Sequence, residues 1–243
     1  MQTIKHFFKN LYHTIHLTTP VAIILGAIIL ASSHITYGFL MNQSTGTKPQ
    51  VESFKGRAID SGDLLTGNAK SNILIVEYSD TECPFCAQVY PAIEKIKQDY
   101  AGKIGFVYRY FPLVEIHPHA FEEARAVYCV GKELGAKKRE DYLNEIFTYK
   151  LSKRTMVFPE GGKEDLAKNV GVNVQEFNAC MKSDESSNAI NASRADGIAA
   201  GVDGTPATFV LLKKRNGYEV VSRISGARPY EYFKAVIDEA LSR

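Results

Sequence analysis

The chain has 243 residues, 29 Lys and Arg against 27 Asp and Glu, and a formal net charge of +2. Acids and bases are interspersed, which argues against a nucleic-acid partner. Beyond the N-terminal region about 190 residues remain, enough for one well-buried domain.

The N-terminus bears on the compartment. Between Asn10 and Thr47 there is no Asp, Glu, Lys or Arg, while Lys5 and Lys9 precede the gap. As a helix, Leu17–Leu40 would extend about 36 Å, more than the roughly 30 Å of bilayer hydrocarbon. Basic residues on its N-terminal side place that end in the cytoplasm and the remainder outside. A cleaved signal peptide is the rival, with Ala31-Ser32-Ser33 as small residues for cleavage. Apolar residues that continue through Ile35, Tyr37, Phe39 and Leu40 favour an uncleaved anchor. The expected organisation is a cytoplasmic N-terminus (1–16), a transmembrane anchor or signal (17–40), a tether and lead-in (41–70) and an exported domain (71–243).

Ile73-Leu74-Ile75-Val76 is an unbroken apolar run, the pattern of a strand covered on both faces. The chain then reaches Cys83-Pro84-Phe85-Cys86. Pro84 suits the first position of a helix, where its missing N–H is no loss. Cys83 is thus placed at a helix N-terminus, facing unpaired amides and the positive end of the dipole, which favours thiolate over thiol. Cys86 lies one turn on, on the same face. Haem attachment would want His at position 87, which is Ala, and a four-thiolate zinc site would want a second close pair, whereas Cys129 and Cys180 stand far apart. The motif reads as a redox site, with no metal or other cofactor expected.

The helix is expected over Pro84–Tyr100, kinked near Pro91, and is followed by an alternating strand, Ile104–Phe111. Helical patterns fill about 117–200, interrupted by a loop at Met156–Gly162. Ala207–Leu212 and Tyr218–Ile224 flank Asn216-Gly217, a hairpin turn signal. Pro229 then opens a last helix bearing Tyr230, Phe233, Ile237 and Leu241 at helical spacing.

Gly204-Thr205-Pro206 at the mouth of an apolar strand resembles the thioredoxin superfamily, in which such a Pro is cis and lies beside the two cysteines. The resemblance narrows to the DsbA-like branch, anchored forms included. It is carried by Val76-Glu77-Tyr78-Ser79-Asp80 before Cys-Pro-Phe-Cys, Tyr108-Arg109-Tyr110-Phe111-Pro112-Leu113 before Ile116-His117-Pro118, and Phe177-Asn178-Ala179-Cys180, and it covers about residues 55–243. It implies an α/β thioredoxin fold with a helical insertion at about 114–200, preceded here by the single N-terminal transmembrane helix. It also implies a structural disulfide between Cys129 and Cys180, with two buried free thiols as the alternative.

The resemblance implies roles as well. Cys83 is the outer sulfur that a client thiolate attacks, and Cys86 is the leaving sulfur. Glu77 matches the family's buried acid and would handle the proton of Cys86, unless it is a surface carboxylate at a strand end. Thr205 would offer backbone groups to an extended client next to Pro206, and Pro84 and Phe85 an apolar contact. His117 and His119 read as turn residues, and Asp80 and Glu82 as solvated carboxylates. The leading expectation is an enzyme that oxidises thiols of exported proteins and is recharged by a membrane redox partner. Phe85 stands where the strongly oxidising members carry His, and Thr before the cis-Pro is familiar from reductases. A reductase or isomerase kept reduced by a membrane partner is therefore the second reading, and an anchored holdase or copper carrier the third.

Overall fold

The structure is a computed structural model that describes residues 53–243. The expected anchor and the cytoplasmic segment lie outside the described residues. Among the described residues no helix is long and apolar enough to cross a membrane.

Five strands form one mixed sheet in the order β1-β3-β2-β4-β5. They are β1 (Thr66–Gly67), β2 (Ile73–Ser79), β3 (Ile104–Tyr110), β4 (Ala207–Lys214) and β5 (Gly217–Ser225). β2 and β3 are parallel, with Ile73 opposite Ile104 and Ser79 opposite Tyr110; the crossover between them is α1 (Pro84–Asp99). The other pairings are antiparallel. The chain stays helical through Pro91.

Between β3 and β4 come α2 (Ala120–Lys153), α3 (Gly162–Val170), α4 (Val174–Met181) and α5 (Asp184–Ala199). A last helix, α6 (Tyr230–Leu241), follows the hairpin. Two caps fix the starts of the short inserted helices: the Asn173 side chain accepts from the amides of Gln175 and Glu176, and Ser183 from that of Ser186. α2 is interrupted at Gly135, whose φ of 81° is a conformation that only Gly adopts without strain. Cys129 of α2 and Cys180 of α4 are joined by a disulfide. This is the thioredoxin fold with an inserted group of helices.

β3 departs from the alternating strand read from its sequence, because all seven of its residues are buried. Ile104, Phe106, Tyr108 and Tyr110 join the larger core, together with residues of α1, α2 and α6. On the opposite face Val107 packs with Leu74, Val76, Tyr78, Phe111 and Val202. Arg109, also on that face, is held by Asp63 (2.9 Å), Asp196 (2.8 Å) and the Tyr78 hydroxyl (3.0 Å). A buried guanidinium needs such partners. The described part of the lead-in supplies one of them, and Phe54, Ile59 and Leu65 pack on the same face. On α5, a side chain at Gly197 would bring a Cβ into the Phe111 ring, so Gly lets the helix lie close to the end of β3.

Candidate active site

The two thiols sit where the C-terminal end of β2 turns into α1. Cys83 is the N-cap residue in extended conformation, followed by Pro84 as the first helical residue. The Thr205–Pro206 bond is cis and brings the Thr205 carbonyl to 3.5 Å from Cys83 Sγ. Cys86 Sγ lies 3.4 Å from the Asp80 amide, which donates to it. Both cysteines are free and nearly covered, at 3% and 1% exposure, so exposure does not distinguish them.

Their surroundings do distinguish them. The Cys83 thiol is lowered to about 6, chiefly by a hydrogen bond from the Cys86 thiol, with the Phe85 and Cys86 amides adding to it against the opposing effect of burial. Burial pushes Cys86 well above the ordinary thiol value, and the neighbouring Cys83 sulfur pushes it further. Cys83 therefore ionises first and Cys86 holds its proton. A low-pKa outer thiolate is a good leaving group in exchange and stabilises the reduced pair.

Glu77 is buried on β2, and burial lifts its carboxyl to about 7. Its Oε2 has no hydrogen-bond partner, and the residue lines a cavity of about 10 Å³ together with Tyr90, Lys97 and Tyr108. Ser79, two residues along the same face, lies near both Glu77 and Cys86. An acid poised near neutrality is suited to exchange a proton at physiological pH. The shift also has a stability consequence. The unfolded carboxyl ionises near 4.5, so stability falls as pH rises from there through 7. Above 7 the full cost is about 3 kcal/mol. Glu77→Gln is expected to flatten that slope and to stabilise the protein at pH 8. Thermal unfolding at pH 5 and pH 8 checks this; an unchanged slope would contradict it.

Asp80 and Glu82 are buried rather than solvated. Asp80 accepts from the Glu82 amide (2.8 Å) and the Leu113 amide (2.9 Å), and lies 2.7 Å from His117 Nδ1. Glu82 accepts from the His119 amide at 2.7 Å. Between them Thr81 donates its hydroxyl to Glu123 (2.7 Å), and its carbonyl accepts from Lys150 Nζ (2.9 Å). Lys150 and Glu123 form a fully buried ion pair at 2.6 Å. Every residue of the turn before Cys83 is thus clamped to the β3–α2 loop or to α2. The sequence reading missed Thr81, Glu123 and Lys150, and local pattern carries no signal for them.

Exposed apolar side chains lie on the two segments that meet at the active-site turn. Phe85 is 57% exposed, and Val114 and Ile116 project from the loop that Asp80 and His117 pin beside the active-site turn, Ile116 at 70%. Thr205 is buried, and among the described residues neither its N–H nor its C=O pairs with another backbone group. No group of three His, Cys, Asp or Glu side chains converges at metal-binding geometry among the described residues.

The fold recurs in proteins this chain resembles. Residues 60–239 match a family model described as Thioredoxin. The chain is 25% identical over 167 residues to a Na(+)/H(+) antiporter NhaA 1 of Mycobacterium sp. (strain KMS), covering 64% of this chain and 24% of the antiporter. It therefore spans about a quarter of that relative's length. A Rickettsia typhi chain carrying the name protein-disulfide oxidoreductase is 26% identical over 167 residues, covering 67% of this chain and 59% of that one. Among solved structures, Wolbachia pipientis α-DsbA1 superposes with a TM-score of 0.63 at 23% identity, over 76% of this chain and 94% of that chain. With a matching family model over most of its length, the thioredoxin sheet, and a Cys-Pro-Phe-Cys helix start against a cis-Pro loop, the chain belongs to the thioredoxin family.

Proposed function

We propose that the chain is an extracytoplasmic thiol:disulfide oxidoreductase that donates the Cys83–Cys86 disulfide to exported proteins. The observation that carries this reading is the opposed pair of thiol shifts, Cys83 down to about 6 and Cys86 well up. In the oxidised enzyme a client thiolate attacks Cys83 Sγ and forms a mixed disulfide. The Cys83–Cys86 bond breaks, and Cys86 leaves with the bonding pair and takes up a proton, for which Glu77 is the nearby acid. The client's second thiolate then attacks the client sulfur of the mixed disulfide, and Cys83 leaves as a thiolate. The client has lost two electrons and the enzyme holds two reduced sulfurs, which a membrane redox partner reoxidises.

Phe85, Val114, Ile116 and the cis-Pro206 loop form the surface for an unfolded client, with Thr205 offering its backbone to an extended segment. The uncharged stretch at 17–40 anchors the chain, with the domain on the outer side of the membrane. Leaving-group chemistry favours oxidation, since the stabilised Cys83 thiolate makes the disulfide easy to reduce.

The test is refolding. The pre-oxidised enzyme is expected to introduce disulfides into a reduced unfolded client, and to do so catalytically when supplied with an oxidant. If its disulfide instead stays fully oxidised in a glutathione buffer of extracytoplasmic poise, the bond is too stable to be donated and the reductase or isomerase reading takes its place. Phe85, which supplies no donor to the Cys83 sulfur from its side chain, is the feature that favours that second reading.

A further inference from the structure

The thiols occupy one end of the sheet, and the opposite end is basic. β2 runs about 20 Å from Ser79, beside the active-site turn, back to Ile73. At Ile73 the sheet end gathers Lys70, Lys103, Lys213 and Arg215, all exposed. The Lys213 amide donates to the Asn72 carbonyl (2.7 Å), and the Ser71 hydroxyl donates to the Lys103 carbonyl (2.5 Å), so these residues share one rim. Glu219 answers Lys214 (3.2 Å) and Arg243 (2.9 Å), but among the described residues the other four make no ion pair.

Two further features converge there. A shallow cavity of about 370 Å³ is lined by Lys70, Lys103 and Arg243 together with Asn68, Ser71 and the exposed apolar Leu241. Cationic and amide donors around an apolar side chain match a phosphate-bearing headgroup at the edge of acyl chains. The described chain also begins at this end: Ser53 bridges Glu219, and the Phe54 amide donates to the Tyr218 carbonyl, next to the hairpin tip.

We propose that this end of the sheet docks on an anionic phospholipid bilayer and thereby holds Cys83 and Cys86 on the side facing away from the membrane. The orientation rests on the anchored reading above. An anchored domain would otherwise tumble on its tether, whereas docking presents the exposed Phe85 and Ile116 to clients in the surrounding space. Each basic residue brought to an anionic leaflet strengthens attachment about fivefold, and salt weakens it.

The test is lysine acylation footprinting of the full chain with vesicles of phosphatidylcholine, with and without phosphatidylglycerol. Lys70, Lys103 and Lys213 are expected to react at least about fivefold more slowly in the anionic vesicles, as for the loss of one surface-bound charge. Lys153, near the active-site turn, is expected to react equally in both, and molar salt to erase the difference. Lys70→Glu with Lys213→Glu is expected to restore the reactivity of Lys103. Equal footprints in both vesicle types, from chain that floats with both, overturn docking and leave the anchor standing. Chain that floats only with anionic vesicles, with the footprint present, keeps docking and overturns the anchor; flotation with neither overturns both. Equal protection of the rim by soluble glycerol phosphate would make it a free-anion site and overturn the bilayer assignment.

Discussion

Cys86→Ser is expected to convert a turning-over exchanger into a trap. Cys83 in that variant still sits at the start of α1, where the Phe85 and Cys86 amides favour its thiolate, so it still attacks a client disulfide. What it lacks is the second sulfur that would release the mixed disulfide, and covalent adducts accumulate. Loss of the Cys86 thiol also removes the largest cause of the low Cys83 value, so trapping is expected to shift to somewhat higher pH than in the intact pair. Cys83→Ser is expected to abolish exchange altogether. The thiol of its remaining cysteine, Cys86, is pushed well above the ordinary range, so it does not ionise near neutrality. Non-reducing gels of cells expressing each variant check both outcomes. Adducts on Cys83→Ser and none on Cys86→Ser would reverse the two roles.

The second large effect lies in stability. Lys150→Met removes the cation from a pair in which burial opposes both charges, holding Lys150 below and Glu123 above their ordinary values. Glu123 is then left with only the Thr81 hydroxyl, and the Thr81 carbonyl loses its donor. Breaking a buried pair from one side typically costs about 3–5 kcal/mol, while replacing both members by apolar residues of similar size is often neutral. Guanidinium unfolding is expected to show the large loss for Lys150→Met and most of it recovered in Glu123→Leu/Lys150→Met. A single-variant loss below about 1 kcal/mol, the size of an exposed pair, would contradict the burial seen here.

These two residues also mark the limit of what the sequence reveals. The sulfurs and the strand before them are legible because their signals are local: four apolar residues in a row, a Pro after the first cysteine, and a helical spacing to the second. The cis-Pro loop and the buried acid at Glu77 are legible only through resemblance to a family. Asp80 and Glu82 look like solvent-facing carboxylates, because their partners, Leu113, His117 and His119, arrive from a distant loop. β3 reads as a half-exposed strand for the same reason. Arg109 looks like an outward residue until Asp63 and Asp196, from the lead-in and from α5, are brought to it. β1 has two residues, too few to leave a periodic trace. Buried charge is paired across the fold, and sequence spacing does not encode who pairs with whom.

At neutral pH one sulfur of the pair is expected to be a thiolate and the other a thiol. The rate of iodoacetamide alkylation of the reduced protein between pH 4 and 9, with the modified cysteine identified by mass spectrometry, tests it directly. Modification is expected at Cys83, rising to half its plateau near pH 6, with Cys86 unmodified until the protein unfolds. A midpoint near the ordinary thiol value of about 8.5, or first modification at Cys86, would contradict the account.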